Sequence, residues 1–241
     1  MTDPLLSVHG ASKRFVGLLA VDDVSFDVGK GEMVSIIGPN GAGKTTLFNL
    51  LTGQLAPSSG EIRFRGEIVN RLGPHKRAQL GMGRTFQIAK PLIHLTVLEN
   101  AMVGAFARLR ALRQAEEKAM LVLEEVGLLD RTRRKAGELT LSERRRLEVA
   151  RALAMDPELI LLDEVMAGLN PSEVTRAIDL YRQLNARGLT FLVIEHNLKV
   201  VRAFAERVIV LDHGAMIAEG RAEEILSSPQ VVEAYVGRRR T

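Results

Sequence analysis

Nine consecutive residues, Gly38-Pro39-Asn40-Gly41-Ala42-Gly43-Lys44-Thr45 and then Thr46, set three glycines ahead of an amine and two hydroxyls. Glycine tolerates the left-handed backbone that turns successive N–H groups inward around an anion. The run before it, Met33-Val34-Ser35-Ile36-Ile37, is short, apolar and β-branched, the mark of a buried strand. The run after it, Thr46 to Leu51, reads as the first turns of a helix. Between a strand and a helix, G-x-x-x-x-G-K-T cradles phosphates, and the helix N-terminus adds unpaired donors and the positive end of its dipole. Lys44 then reaches the β- and γ-phosphates of a nucleotide, and the Thr45 hydroxyl holds Mg²⁺.

Such a loop serves GTPases, kinases and ATPases alike. The discriminating stretch is Leu159-Ile160-Leu161-Leu162-Asp163-Glu164. A carboxylate at the C-terminal end of a buried strand lies where ligands bind in an open α/β sheet. Asp163 is suited to hold Mg²⁺ through water, and Glu164, leaving the strand in another direction, can polarise the attacking water. His196 ends a further apolar run, Thr190 to Glu195; read alone, it is either a satisfied structural histidine or a catalytic one. Phe15, after two basic residues, reads alone as a core anchor, and Gln87 as a solvent-facing loop residue.

The elements that must position these groups follow from periodicity. Strands are expected at Leu5–His9 and Val21–Val28, with Lys13–Gly17 as a loop, and at the half-exposed Glu61–Arg65. These early strands look antiparallel and partly solvent-facing. Arg84-Thr85-Phe86-Gln87 reads as a short strand entering a loop. From Val97 to Ala154 helical periodicity dominates, with one stripe at Ala115, Ala119, Leu123 and Val126 and another at Leu147, Val149, Ala150 and Leu153. Asn170 and Pro171 fit the N-cap and first position of a helix that Gly188 stops. Short strands at Val208–Leu211 and Ala215–Ala218 flank Asp212-His213-Gly214. Apolar strands alternating with helices indicate an α/β fold.

Composition excludes other classes. The 241 residues are 46% hydrophobic, enough for a real core. Net charge is only +4, and with two tyrosines and no tryptophan there is no aromatic-rich basic patch for nucleic acid. Arg238-Arg239-Arg240 reads as a solvated tail. Cysteine is absent, which removes disulfides and thiolate chemistry, and the five histidines lack metal-site spacing. The start lacks the basic and apolar regions of a signal peptide, and no run of 18 apolar residues occurs. A soluble protein on the cytoplasmic side is expected, held to a membrane through a partner.

The order of these segments resembles the nucleotide-binding subunit of an ATP-binding cassette (ABC) transporter over almost the whole chain. The resemblance implies a P-loop NTPase core of the ABC ATPase type. Within a single domain of residues 1–241, it implies a nucleotide-binding core at 5–87 and 155–241 that carries an N-terminal antiparallel β subdomain, and a helical subdomain inserted at 88–154. It implies hydrolysis of ATP to ADP and phosphate with Mg²⁺. By resemblance, Gln87 senses the γ-phosphate and Mg²⁺, His196 hydrogen-bonds the γ-phosphate, and Phe15 stacks on adenine. Gly168-Leu169-Asn170 resembles the loop that crosses the dimer interface, where Asp is usual in place of Asn170. Arg84–Gln87, Leu95–Asn100, Ala167–Pro171, Ile194–Asn197 and Ala234-Tyr235-Val236-Gly237 look like the ATPases of branched-chain amino-acid importers. Those work with a homologous ATPase subunit or a second copy as a closed dimer, two integral membrane permeases and an extracytoplasmic binding protein. Related importers carry urea or short amides.

One segment departs from the family pattern. Where L-S-G-G-Q is usual, the sequence is Leu139-Thr140-Leu141-Ser142-Glu143. Thr140 keeps a hydroxyl for the γ-phosphate held by the opposite subunit, but both glycines are gone, and Glu143 brings a negative charge. In a closed dimer Leu141 is expected to point into the helical subdomain, and Glu143 towards Arg144-Arg145-Arg146 or solvent. A regulatory subunit that binds nucleotide with little turnover is the competing reading. A soluble relative acting on DNA or ribosomes would need two cassettes or long coiled insertions, which 241 residues do not hold.

Overall fold

The structure, a computed structural model, describes residues 3–85, 91–229 and 231. The chain divides into two compact units, residues 1–77 with 188–241, and residues 78–187. The first unit starts with strands β1 (Leu6–Phe15), β2 (Leu18–Val28) and β3 (Met33–Ile37), helix α1 (Lys44–Leu51), and strands β4 (Ser59–Phe64) and β5 (Glu67–Ile68). Helix α2 (Pro74–Leu80) carries the chain out of it. The second unit holds β6 (Met82–Arg84), α3 (Val97–Ala105), α4 (Leu112–Glu125), α5 (Leu141–Leu153), β7 (Leu159–Asp163) and α6 (Pro171–Ala186). The chain re-enters the first unit through β8 (Thr190–Ile194), α7 (Leu198–Phe204), β9 (Arg207–Asp212), β10 (Ala215–Arg221) and the short α8 (Ala222–Ile225).

Two kinds of strand make up the first unit, and their burial separates them. β1, β2, β4 and β5 form an antiparallel sheet in the order β2-β1-β4-β5. Val24, Phe26 and Val28 of β2 are buried while Ser25 and Asp27 between them are exposed, the alternation of a sheet with one wet face. By contrast β3 pairs in parallel with β8 on one side and β9 on the other, and β10 joins β9 antiparallel. All five residues of β3 and all five of β8 are buried, so neither strand alternates. Phe191 of β8 meets Phe204 of α7 edge to face, with centroids 6.0 Å apart.

The loop expected at Lys13–Gly17 is a strand as far as Phe15, because a bulge lets β1 continue. Gly10 and Asp23 both take positive φ where the register between β1 and β2 shifts. Two serines take up the displaced amides: Gly10 N donates to Ser25 Oγ at 2.8 Å and Asp23 N to Ser12 Oγ at 3.0 Å. The short strand expected at Arg84–Gln87 lies earlier, at Met82–Arg84, because Met82 and Gly83 already pair with Leu159 and Ile160 of β7; Thr85 follows the strand, and Phe86 and Gln87 lie outside the described residues. The other expected elements are present, with ends shifted by up to a few residues. β3, β7 and β8 have the bounds that their apolar runs imply, and Ala115, Ala119, Leu123 and Val126 are buried, as are Leu147, Val149, Ala150 and Leu153. Helices α3, α4 and α5 of the stretch expected at 88–154 fall within the second unit, which also contains β6, β7 and α6.

Behind α1 sits a buried cation. Arg77 is 1% exposed, and its guanidinium donates to carbonyl oxygens of Leu50 and Leu51 at 2.6 Å, Val69 at 2.7 Å and Leu72 at 2.9 Å. Leu50 and Leu51 are the last residues of α1, where the closing carbonyls carry the negative end of the dipole. Burial pushes the Arg77 pKa down to about 10, which leaves it charged at neutral pH. Arg77→Met therefore removes the guanidinium donors to the Leu51 and Leu72 carbonyls, while Leu50 O and Val69 O keep the Gly53 and Leu72 amides. It is expected to cost about 2–4 kcal/mol in urea unfolding, the scale of an orphaned buried polar group and above that of a surface substitution.

Candidate functional site

The phosphate loop joins β3 to α1, and its backbone is set by what lies on either side. Gly38, Gly41 and Gly43 have φ of 150°, 84° and 94°. A Cβ on Gly38 would lie 2.1 Å from the Leu211 carbonyl oxygen of β9, and one on Gly43 would lie 2.3 Å from the Ala20 oxygen of β2. Only glycine fits between those carbonyls. The turn between β9 and β10 closes the other side, where Gly214 N donates to Ala42 O at 3.1 Å. Lys44 is buried, and its ammonium donates to Gly38 O at 2.7 Å and Pro39 O at 2.9 Å, which keeps the amine inside the loop. Thr45 is exposed and Thr46 half-buried on the first turn of α1.

The start of α1 is unlike the starts of α3, α5 and α6. Those three carry complete capping boxes, with Thr96, Thr140 and Asn170 as N-caps and Glu99, Glu143 and Glu173 three residues on. Helix α1 begins on Gly43 with no side-chain cap and no acid in its first turn. Helix α4, starting after Ala111, is likewise without a side-chain cap, so what sets α1 apart is the glycine cradle ahead of it with the Lys44 ammonium inside.

β3 and β8 run parallel with Ile36 opposite Ile194, so Gly38 and His196 each stand two residues beyond that pair. His196 is exposed there, and Asn197 behind it caps α7 by accepting from Lys199 N. Phe15 lies at the tip of the β1–β2 hairpin, 41% exposed, with the Lys13 ammonium 5.5 Å from its ring centroid. That placement removes the core-anchor reading and leaves a face on which a planar base can stack. Gln87 lies outside the described residues, as do Ala234–Gly237 and Arg238–Arg240.

In the second unit, Asp163 ends β7 and is 2% exposed, while Glu164 is half-buried. Glu164 has φ of 49°, a left-handed conformation that a non-glycine residue adopts at a cost and that takes its side chain out of the strand alternation. Sequence reasoning missed the cation beside Asp163: Arg84 Nη2 of β6 donates to Asp163 Oδ2 at 3.1 Å. No local pattern announces it, because the partners are 79 residues apart.

The residues fit a nucleoside triphosphate and a hard divalent cation. The cradle is one that a Cβ would fill, it holds an amine, and its helix is uncapped. In the first unit the Thr45 hydroxyl, and separately in the second the Asp163 carboxylate, are oxygen donors of the kind Mg²⁺ takes.

The segment Leu139–Glu143 starts α5, with Thr140 exposed at the N-cap. Thr140 Oγ1 accepts from Glu143 N at 3.3 Å, and the Glu143 carboxylate accepts from Thr140 N at 2.9 Å and from Arg131 Nε at 3.1 Å. Glu143 therefore folds back to hydrogen-bond its own cap and Arg131, because the cap amide lies within one turn and Arg131 is brought beside it from the preceding segment; of Arg144–Arg146, Arg146 is near enough for the Glu143 charge to favour its guanidinium. Leu141, expected to point inward, is 44% exposed, with Cδ2 3.1 Å from where a Gly168 Cβ would be. Asn170 caps α6 as an Asp would, its Oδ1 accepting from Glu173 N at 3.0 Å and Ser172 Oγ at 2.8 Å.

The Thr140 amide and then Arg131 hold the Glu143 carboxyl below its usual pKa. A depressed folded pKa gives stability that is present above the unfolded value and lost as pH falls through the folded one. Thr140→Ala is expected to cost about 1 kcal/mol in urea unfolding at pH 7, with Thr140→Ser near wild type. The stability difference between wild type and Glu143→Gln should be largest at neutral pH and vanish below the folded pKa of Glu143.

Comparison with known proteins places these features. The ABC transporter family model matches residues 21–167, and the model described as branched-chain amino acid ATP-binding cassette transporter matches residues 215–240. The high-affinity branched-chain amino acid transport ATP-binding protein LivG of Salmonella typhimurium is 41% identical, over 98% of this chain and 99% of that protein. The ADP conformation of MJ1267, an ATP-binding cassette of an ABC transporter, superposes with a TM-score of 0.90 at 36% identity, covering 98% of this chain and all of that one. A dimeric post-hydrolysis structure of the cassette MJ0796 bound to ADP and Pi matches with a TM-score of 0.81 at 27% identity, over 90% and 98% of the two chains. With the uncapped phosphate loop and the strand-end Asp163-Glu164 pair in place, the chain belongs to the ABC transporter family as a nucleotide-binding, ATP-hydrolysing subunit homologous to the LivG ATPases.

Proposed function

We propose that the chain energises uptake of branched-chain amino acids through a membrane permease, working at the cytoplasmic face of the membrane as one half of a closed cassette dimer. The observation that carries ATP use is the phosphate loop, in which Gly38 and Gly43 admit a backbone no other residue could follow while Lys44 sits inside. Likeness to LivG along nearly the whole chain, and the separate match at 215–240, support the substrate class. The second cassette is a homologous ATPase or another copy of this chain. Two integral permeases and an extracytoplasmic binding protein complete the assembly.

Each residue has a part in the reaction. Amides of Gly41, Gly43, Lys44, Thr45 and Thr46 receive the phosphates, with Gly38, Pro39, Asn40 and Ala42 shaping the turn, where Ala42 N donates to Pro39 O. The Lys44 ammonium neutralises β- and γ-phosphate oxygens, and Phe15 stacks on the adenine. Thr45, Asp163 and Gln87 hold Mg²⁺, which offsets charge on the phosphate oxygens. Glu164 orients and deprotonates a water that attacks the γ-phosphorus in line. A bond forms from water oxygen to phosphorus, and the bond to the β-phosphate oxygen breaks, giving ADP and phosphate. His196 hydrogen-bonds the γ-phosphate and fixes it against the water. Thr140 of each cassette meets the γ-phosphate held by the other.

The capping box at Thr140 favours a second reading, a regulatory subunit of low turnover. Glu143 already accepts the cap amide and sets a carboxylate at the helix end meant for phosphate.

A matched pair of variants tests the main reading. Glu164→Gln should bind ATP as wild type does by calorimetry while turnover falls by about 10²–10⁴, the scale of a positioned base. Lys44→Ala should lose most ATP affinity, since phosphate charge is left unpaired. Wild-type affinity in Lys44→Ala contradicts the loop assignment. Wild-type turnover in Glu164→Gln moves the base elsewhere, and negligible turnover in the unmodified assembly favours the regulatory reading.

A further inference from the structure

Strand β6 lies parallel to β7 in the second unit, with Met82 opposite Leu159, Gly83 opposite Ile160 and Arg84 opposite Leu161. Thr85 N extends the pairing by donating to Leu161 O at 3.0 Å. Paired residues project to the same face of a sheet, and residues two apart on one strand share a face. Arg84 therefore stands on the face of both Leu161 and Asp163. Gly83, on the opposite face, lies against Ile160, where a Cβ would come within 3.3 Å of Cγ1. The shared face of Arg84 and Asp163 holds an ion pair at 3.1 Å between side chains only 10% and 3% exposed.

We propose that Arg84 is a positioning residue for the metal-side carboxylate. Its guanidinium holds Asp163 through Oδ2 in the orientation in which that carboxylate serves Mg²⁺. This rests on the reading of Asp163 as the Mg²⁺-side acid. A buried carboxylate has given up most of its water, so its direction is set by the protein donors around it. A planar guanidinium in a fixed rotamer imposes a direction, whereas an ammonium supplies charge from a flexible stem. Groups that orient a metal-binding carboxylate govern affinity for the metal although they do not touch it.

The test is ATP affinity, by calorimetry on the full chain, in EDTA and in saturating Mg²⁺; the ratio of the two is the affinity gained through the metal. Arg84→Gln is expected to keep the EDTA affinity within about twofold of wild type and to lose about tenfold of the metal-dependent gain. Arg84→Lys keeps the buried charge and is the variant that decides if Arg84→Gln fails to fold. It should melt near the wild-type temperature, bind ATP normally in EDTA and lose about threefold of the gain. A folded Arg84→Lys with the full metal-dependent gain overturns the inference. So does an equal loss of affinity in EDTA and in Mg²⁺, which would mark the pair as merely structural. Asp163→Asn separates the two levels. If it keeps the full gain, the reading of Asp163 fails; if it loses the gain while Arg84→Lys keeps it, only the role of Arg84 fails.

Discussion

Everything around the phosphate loop depends on two close approaches, of Gly38 to the Leu211 carbonyl and of Gly43 to the Ala20 carbonyl. They wedge the loop between a strand of the parallel sheet and a strand of the antiparallel one. The bulge that carries β1 past Gly10 brings Phe15 to the hairpin tip of that antiparallel sheet, and β9 leads into the turn whose Gly214 amide closes on Ala42. A methyl group at either glycine would push the loop off one wall, and the inward set of amides would be lost with it. Arg77 secures the opposite end of the same helix, whose N-terminus has no side-chain cap.

Three arginines, one buried and two half-buried, are each held in a different way. Arg77 uses backbone carbonyls and Arg84 a carboxylate. Arg207 binds Glu32 at 2.6 Å, pairs with Glu219 and donates to Asp27 O, tying β9, β10 and the end of β2 together. Burial works against the Arg207 charge, but the hydrogen bonds and attraction from Glu32 and Glu219 prevail and raise its pKa. Such pairs add little net stability against an apolar replacement, yet losing one partner is costly. They fix geometry, which is what a site built from strand ends requires.

Much of the fold was legible because its signals are local. β3, β7 and β8 are buried on both faces, so their apolar runs stop where the strands stop. Asn170 and Pro171 announce α6, and the glycine pattern announces the loop. Signals that depend on partners distant in sequence were not legible. The reach of β1 to Phe15 needs Ser25 and Ser12 to accept displaced amides across the hairpin. The direction of Glu143 depends on Arg131, twelve residues away, and the ion pair of Arg84 with Asp163 spans 79. The exposed positions of Phe15 and His196 turn two ambiguous residues into candidates for ligand contact, although neither carries a local motif.

The central claim is that the backbone of this glycine loop, with the bare start of α1, receives the nucleotide phosphates. Amide NMR of the full chain during titration with Mg-ADP reads it without altering any residue. The account predicts that the largest shifts fall on the amides of Gly41, Gly43, Lys44, Thr45 and Thr46, while the self-capped starts of α3 and α6 stay unmoved. Saturating nucleotide binding that leaves those five amides unshifted would contradict it.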